Sequence, residues 1–209
     1  MVKAFEIRIR KNSNTALKEL GLFFEQKNPV YHALKKMAAK LEELRIPYAV
    51  AGAMALNAHG FQRATMDVDL LVAPEGFKQV HAALEELGYV PPFKGSKQLR
   101  DTEHGVRIEF LVAGQFPGDG KPKPIVFPHP SDCAVVKQGI SYVVLPKLIE
   151  MKLASGMTNP GRLKDLADVQ ELVRLLKLPT TYTRNLHPYV QEKFKELWQG
   201  VQQDTSSEH

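Results

Sequence analysis

The chain has 209 residues, 44% hydrophobic and 24% charged, an ordinary globular mix that argues against disorder along its whole length. Its longest apolar runs, such as Tyr48 to Leu56, fall far short of the roughly 18 residues that cross a bilayer, and no apolar leader opens the sequence. The single cysteine, Cys133, excludes a disulfide framework and a cysteine-rich zinc site, so the expectation is a protein of the reducing cytoplasm with no membrane partner.

Charge is unevenly spread. The 28 Lys and Arg against 23 Asp and Glu give +5, but residues 1–63 hold 11 basic and 5 acidic residues and residues 64–209 hold 17 and 18. A basic N-terminal third suits a phosphate or polynucleotide partner. Alternatively, Lys35, Lys36, Lys40 and Arg45 form the solvated face of one helix.

Along the chain, Phe5 to Ile9 alternates like a short strand. Residues 29–45 carry Tyr31, Leu34, Ala38, Leu41 and Leu44 on one stripe, which predicts an amphipathic helix begun by Pro29 and stopped before Pro47. Tyr48 to Ala51 reads as a strand, Gly52 as a turn, and Met54 to His59 as a short helix closed by Gly60. Thr65 to Val72 is a predicted strand, Phe77 to Leu87 a helix with Gly88 as its C-cap, and Val106 to Val112 a second alternating strand. Residues 113–130 are rich in proline and glycine and read as a long loop. Ile140 to Leu145 is a strand, and a helix opens at Pro146 and runs to about Ser155. Asn159, Pro160 and Gly161 break it; helices follow from Arg162 to Leu176 and from His187 to Gln202, before a frayed polar tail from Asp204 to His209.

This order predicts an α+β fold. A small mixed β-sheet of about four strands, flanked by helices, forms a core over residues 1–145, and residues 146–209 form a helical C-terminal subdomain. Trp198, with Phe194 and Leu197, reads as core packing. His32, His81, His104, His129 and His187 are scattered without zinc-ligand spacing, and His59 reads as a structural residue at a turn.

The chemistry concentrates in acids. Strand side chains repeat every two residues, so Asp67 and Asp69 share one face, with roughly 7 Å between them. Two like charges there repel, and a divalent cation cancels that repulsion; Mg²⁺ prefers carboxylate oxygens together with substrate phosphates. Glu109 interrupts the second apolar strand and joins the pair if the strands are neighbours, or else faces water beside Arg107. Three carboxylates about one point suit two metals, which activate an attacking oxygen and stabilise a leaving one. Upstream, Ala51-Gly52-Ala53 lies between a strand and a helix, where a glycine lets a phosphate approach the backbone.

Ala51-Gly52-Ala53, then 13 residues, then Asp67-Val68-Asp69-Leu70 resembles the nucleotidyltransferase motif of the DNA polymerase beta superfamily. The longer run from Gly52 through His59-Gly60-Phe61-Gln62-Arg63-Ala64-Thr65-Met66 to Asp69 is similar to small bacterial nucleotidyltransferases, which include lincosamide-modifying enzymes and AbiEii/AbiGii-type abortive-infection toxins. Leu145 to Ala154, with Lys152 inside it, and Arg162-Leu163-Lys164-Asp165-Leu166-Ala167-Asp168 agree with that group. The resemblance spans about residues 30–178 and leaves the first 28 residues and the last helix unexplained.

The resemblance implies a nucleotidyltransferase core in which Gly52 and the N–H of Ala53 hold nucleotide phosphates. Asp67, Asp69 and Glu109 bind Mg²⁺ or Mn²⁺, Lys152 neutralises triphosphate charge, and Asp165 or Asp168 orients Lys152 or an acceptor. Arg63 and Thr65 touch phosphate or brace the loop. Position 53 is Ala where Gly or Ser is usual, which keeps a backbone contact and loses a hydroxyl; the third acid is Glu where Asp is commoner. The implied reaction moves a nucleoside monophosphate from a nucleoside triphosphate to a hydroxyl acceptor, on a tRNA or other RNA, a protein or a small molecule; a toxin of this kind would have an antitoxin partner. The rival readings are a non-catalytic binding module for RNA or protein on the same fold, and a two-metal nuclease using the same acids. Lys152 could equally be solvated, and Asp165 and Asp168 could simply be favourable charges at a helix start.

Overall fold

The computed structural model describes residues 13–85 and 87–207. Within that range the chain divides into two units. The first takes residues up to 58, 62–113 and 129–143; the second takes 59–61, 114–128 and those from 144 onward. The predicted strand over Phe5 to Ile9 lies outside the described residues.

The first unit is a mixed seven-stranded sheet with its helices. In chain order its elements are α1 (Ser13–Phe24), α2 (Pro29–Glu43), β1 (Tyr48–Val50), α3 (Gly52–Ala58), β2 (Asp67–Val72), α4 (Pro74–Leu84), β3 (Tyr89–Val90), β4 (Gln98–Asp101), β5 (Arg107–Val112), α5 (Pro130–Cys133), β6 (Ala134–Lys137) and β7 (Ile140–Val143). The strands lie in the order β3-β4-β5-β2-β1-β7-β6. β2 pairs in parallel with β5 and antiparallel with β1, so it sits at the centre.

Alternation explains the sheet's two faces. Val68 and Leu70 of β2 and Ile108 and Phe110 of β5 are buried, while Asp67, Asp69, Arg107 and Glu109 between them are only half-buried. α2 packs against β2 and buries Val30, Leu34, Met37, Ala38 and Leu41. Each such large side chain removed from water contributes about 1.5–3 kcal/mol. Asn28 starts α2 by accepting the Tyr31 N–H at 3.1 Å, and Pro29 follows as a first residue with no N–H to satisfy. The helix ends without a glycine. Arg45 takes the left-handed conformation, its N–H reaches Glu42 O at 2.9 Å, and the Ile46 N–H reaches Leu41 O at 2.8 Å, the double bond of a Schellman cap.

The second unit is helical: α6 (Leu145–Thr158), a 3₁₀ turn (Pro160–Arg162), α7 (Leu163–Leu176), a second 3₁₀ segment (Thr180–Asn185) and α8 (Pro188–Ser207). α6 and α7 approach closely at Gly156, where a Cβ would stand 2.5 Å from Leu166 Cγ. Glu150, buried on α6, accepts the His187 N–H at 2.8 Å and so fixes the entry to α8. Phe194 is buried on α8, and the Trp198 indole donates to Leu178 O at 2.9 Å.

The α+β class and mixed sheet agree with the sequence, but the expected four strands become seven. β3 has two residues, β4 is the polar run Gln98–Asp101, and β6 forms a hairpin with β7 through Gln138 and Gly139, both at positive φ. The helix expected over Phe77 to Leu87 starts earlier, at Pro74, and ends at Leu84. The strand expected from Thr65 begins at Asp67. Asp204 to Ser207 is not a frayed tail: it continues α8.

Asn28 is buried, and its side chain is the visible partner of the first turn of α2. Asn28→Ala is expected to cost about 1 kcal/mol, read as a lower urea midpoint with unchanged slope.

Candidate active site

The register of the central strands brings the acids together. Asp69 on β2 is the direct partner of Glu109 on β5, and Asp67 is the direct partner of Arg107. All four side chains leave the half-buried face. Glu109 therefore sits both beside Asp69 and two residues from Arg107, so the two readings of its position were not exclusive. Paired residues on neighbouring strands lie about 5 Å apart, where two like charges repel by roughly 3 kcal/mol at an effective dielectric near 20. Asp67, Asp69 and Glu109 share the face without one oxygen of each closing to within 4.8 Å of the others.

Asp67 is held by two side chains. The Thr65 hydroxyl donates to its Oδ1 at 2.5 Å, and the Arg107 guanidinium donates to its Oδ2. Arg107 was not a sequence candidate. Its signal was present, because residue 107 must share a strand face with residue 109.

Asp69 is fixed from the other side. The end of β1 meets β2 there: the Ala51 N–H donates to Asp69 O at 2.9 Å, and the chain then turns at Gly52 with φ +57. A Cβ on Gly52 would lie 1.8 Å from Asp69 Oδ2 and 2.8 Å from its Cγ. Glycine is thus required twice, by the left-handed backbone and by the carboxylate against its α-carbon. The Glu109 side chain, in contrast, takes no hydrogen bond or ion pair among the described residues.

The loop between α3 and β2 is braced through its backbone. Asn57 donates to Ala53 O at 2.8 Å and to Arg63 O at 2.7 Å, and accepts the Arg63 N–H at 3.0 Å. Ala53 is buried under this brace.

The donor set suits a hard divalent cation: three half-buried carboxylates, one of them paired with the Arg107 guanidinium. The cradle at Gly52, which any other side chain would fill, holds Asp69 in place.

The other residues implied by the resemblance form a separate cluster within the second unit. Lys152 on α6 is buried, and its ammonium donates to Asp165 Oδ1 at 2.9 Å and to Asp168 Oδ2 at 2.7 Å. The Ser155 hydroxyl donates to Asp165 Oδ2 at 2.7 Å. The solvated reading of Lys152 is therefore excluded. Its charge is balanced inside the unit, and the triad clamps α6 to α7. Burial acts to raise the Asp165 carboxyl, but the Lys152 charge, the Ser155 and Lys152 hydrogen bonds and the Arg162 charge outweigh it and hold the group below the ordinary carboxylate value.

The N-terminal basic residues are partly committed as well. Lys36 binds Asp101 and Glu103 at 2.8 Å each, and Lys40 binds Glu43 at 2.8 Å.

No protein-family profile matches the sequence, and no curated protein matches it. Among solved structures, the chain is similar to the crystal structure of ANT(2'')-Ia in complex with adenylyl-2''-tobramycin (13% identity, TM-score 0.42, 83% of this chain and 97% of that one). The solution structure of the antibiotic-resistance factor ANT(2'')-Ia is also similar (15% identity, TM-score 0.43, 83% and 91%). So is a candidate nucleotidyltransferase of Thermotoga maritima (16% identity, TM-score 0.41, 70% and 89%).

Lys152→Met would strand two buried carboxylates and is expected to destabilise the chain by roughly 3–5 kcal/mol in urea unfolding. The pH dependence follows from Asp165. Its folded value lies below its unfolded value of about 3.9, so its stabilisation is complete above that pH and is lost as pH falls through the folded value. Urea midpoints between about pH 6 and 2.5 should fall more steeply for the wild-type chain than for Asp165→Asn.

Proposed function

We propose that this chain is a metal-dependent nucleotidyltransferase, which moves a nucleoside monophosphate from a nucleoside triphosphate to a hydroxyl acceptor. One observation carries the reading. Asp67, Asp69 and Glu109 share one half-buried face of two in-register central strands, and a glycine turn rests against the carboxylate of Asp69. A fold gains nothing from stacking three acids there, whereas a phosphate-handling site requires them. The quoted sequence resemblance supports the same reading.

Asp67, Asp69 and Glu109 would hold Mg²⁺ or Mn²⁺. Such an ion neutralises triphosphate charge and favours ionisation of the acceptor hydroxyl. The chain's own groups supply the rest. Gly52 gives the Asp69 carboxylate room to pack against its α-carbon. Thr65 holds Asp67 in one rotamer. Arg107 carries a planar guanidinium that matches two phosphate oxygens. Glu109, the carboxylate without a protein partner, accepts the proton released by the acceptor hydroxyl. The acceptor oxygen forms a bond to the α-phosphorus, the bond to the β-phosphate oxygen breaks, and pyrophosphate leaves. Positioning and charge neutralisation account for the acceleration. A small hydroxylated molecule, an RNA end and a protein hydroxyl are all chemically competent acceptors, and an antitoxin partner belongs with the toxin version of this reading.

The test titrates ATP, GTP, CTP and UTP in MgCl₂ against the full chain and against Asp67→Ala/Asp69→Ala. Mg²⁺-dependent binding of at least one nucleotide, abolished in the double variant, is expected. Absence of such binding, or its survival in the variant, would refute the proposal; salt-sensitive RNA binding that ignores both Mg²⁺ and the variant would favour the non-catalytic module. Incubation with labelled RNA separates transfer, which lengthens it, from cleavage, which shortens it.

Gly52→Ala tests the cradle by itself. The added Cβ must push the Asp69 carboxylate aside. Nucleotide transfer should fall by at least about 100-fold, the scale of losing one charge-stabilising group, while the far-ultraviolet circular dichroism of the folded chain stays unchanged.

A further inference from the structure

The half-buried face of the central sheet presents its charges in two rows. Arg100, Arg107 and Asp67 stand in register across β4, β5 and β2, and beside them stand Gln98, Glu109 and Asp69. Alternation keeps these six side chains on one face, because Leu99, Ile108 and Val68 between them are fully buried. Three carboxylates thus share the two rows with two guanidiniums. The rows are close to neutral, so a small cation alone is drawn to them only weakly.

Arg100 is tied back, its Nη1 donating to Gly105 O at 2.7 Å in the turn that joins β4 to β5. Arg107 lies in register between this like charge and Asp67, and its guanidinium donates to Asp67 Oδ2. Repulsion by Arg100 and attraction by Asp67 therefore act on it in the same direction. The Thr65 hydroxyl takes the other oxygen, Oδ1, at 2.5 Å. Both oxygens of Asp67 are engaged by side chains, and a cation that binds Oδ2 must contend with Arg107.

Exposure decides whether this pair is a fixed strut or an exchangeable contact. The Arg107 side chain is 36% exposed and that of Asp67 25%, whereas Lys152 in its ion triad is 7% exposed. Ion pairs open to water to this degree break at little cost. They still count in competition: an arginine beside an aspartate lowers its affinity for a proton by roughly 10- to 1,000-fold. A divalent ion carries twice that charge and meets the same guanidinium. A triphosphate changes the balance, since its oxygens accept the planar fork of an arginine as a carboxylate does. The guanidinium then has a second partner to take as it leaves Asp67.

We propose, resting on the metal-dependent reading of this face, that Arg107 is a built-in competitor for Asp67. It disfavours a divalent ion at Oδ2 until a nucleoside triphosphate draws the guanidinium away, so that metal and nucleotide enter together. The same side chain guards the acid before the substrate arrives and holds triphosphate charge afterwards.

The test measures Mn²⁺ bound to the full-length chain without nucleotide, by electron paramagnetic resonance, with circular dichroism on each variant. Arg107→Gln should bind Mn²⁺ at least about 10-fold more tightly than the wild type, a gain that loss of structure does not produce. Arg107→Met is a second neutral variant with the same expectation. Arg107→Lys, which keeps the charge, should stay within about 3-fold of the wild type, and Asp67→Asn/Asp69→Asn should lose the ion. With Mn²⁺ saturating, the nucleotide that the wild type binds best among ATP, GTP, CTP and UTP should bind Arg107→Gln at least about 10-fold more weakly. Mn²⁺ affinity in both neutral variants equal to or below that of the wild type, with binding lost in the Asp67/Asp69 variant, overturns the proposal and leaves the metal-dependent reading standing. Unchanged nucleotide affinity in Arg107→Gln overturns it as well. Absence of Mn²⁺ binding in every variant, or binding that ignores the Asp67/Asp69 change, overturns both.

Discussion

Repulsion between Asp69 and Glu109 is the constraint that the first unit is built to withstand. Parallel, in-register pairing of β2 and β5 places the two carboxylates side by side, with Asp67 one pleat away. The strands tolerate this because their other face is buried continuously through Val68, Leu70, Ile108 and Phe110. Hydrophobic burial of the sheet thus supports an electrostatic arrangement that would not form by itself. Arg107 relieves part of the strain at Asp67, and the glycine turn confines Asp69.

The second unit solves the opposite problem. Lys152, Asp165 and Asp168 are nearly excluded from water, and removing Lys152 leaves two carboxylates buried with uncompensated charge. Such a cluster adds little net stability over an apolar core, but it specifies how α6 and α7 register. Gly156 sets how closely the helices approach, and the ion triad sets their alignment.

Much of this was legible in the chain itself. The two-residue alternation of Asp67 to Leu70 and of Arg107 to Val112 fixed which side chains share a face, and Gly52 stood where a turn had to be. The adjacency of β2 and β5 could only be conditional, since strand order depends on contacts distant in sequence. Short polar strands were invisible for a related reason: Gln98–Asp101 has a single buried aliphatic residue, Leu99, and is a strand because β3 and β5 flank it. The burial of Lys152 was likewise hidden, because a lysine between apolar neighbours on a helix looks the same whether its partners lie on another helix or in solvent. The Lys36–Asp101–Glu103 ion network was out of reach, being assembled from α2, β4 and the turn after it.

Because all three acids stand on interior strands, the transfer reaction proposed for this chain would be carried by a different part of the molecule from its choice of substrate. Main-chain ladders hold the carboxylates to a tolerance that loop changes do not disturb. Under that proposal, insertions or substitutions in the surrounding connections would alter which molecule is accepted while the transfer step is retained. A lineage built on such a sheet can acquire new targets by remodelling its periphery alone.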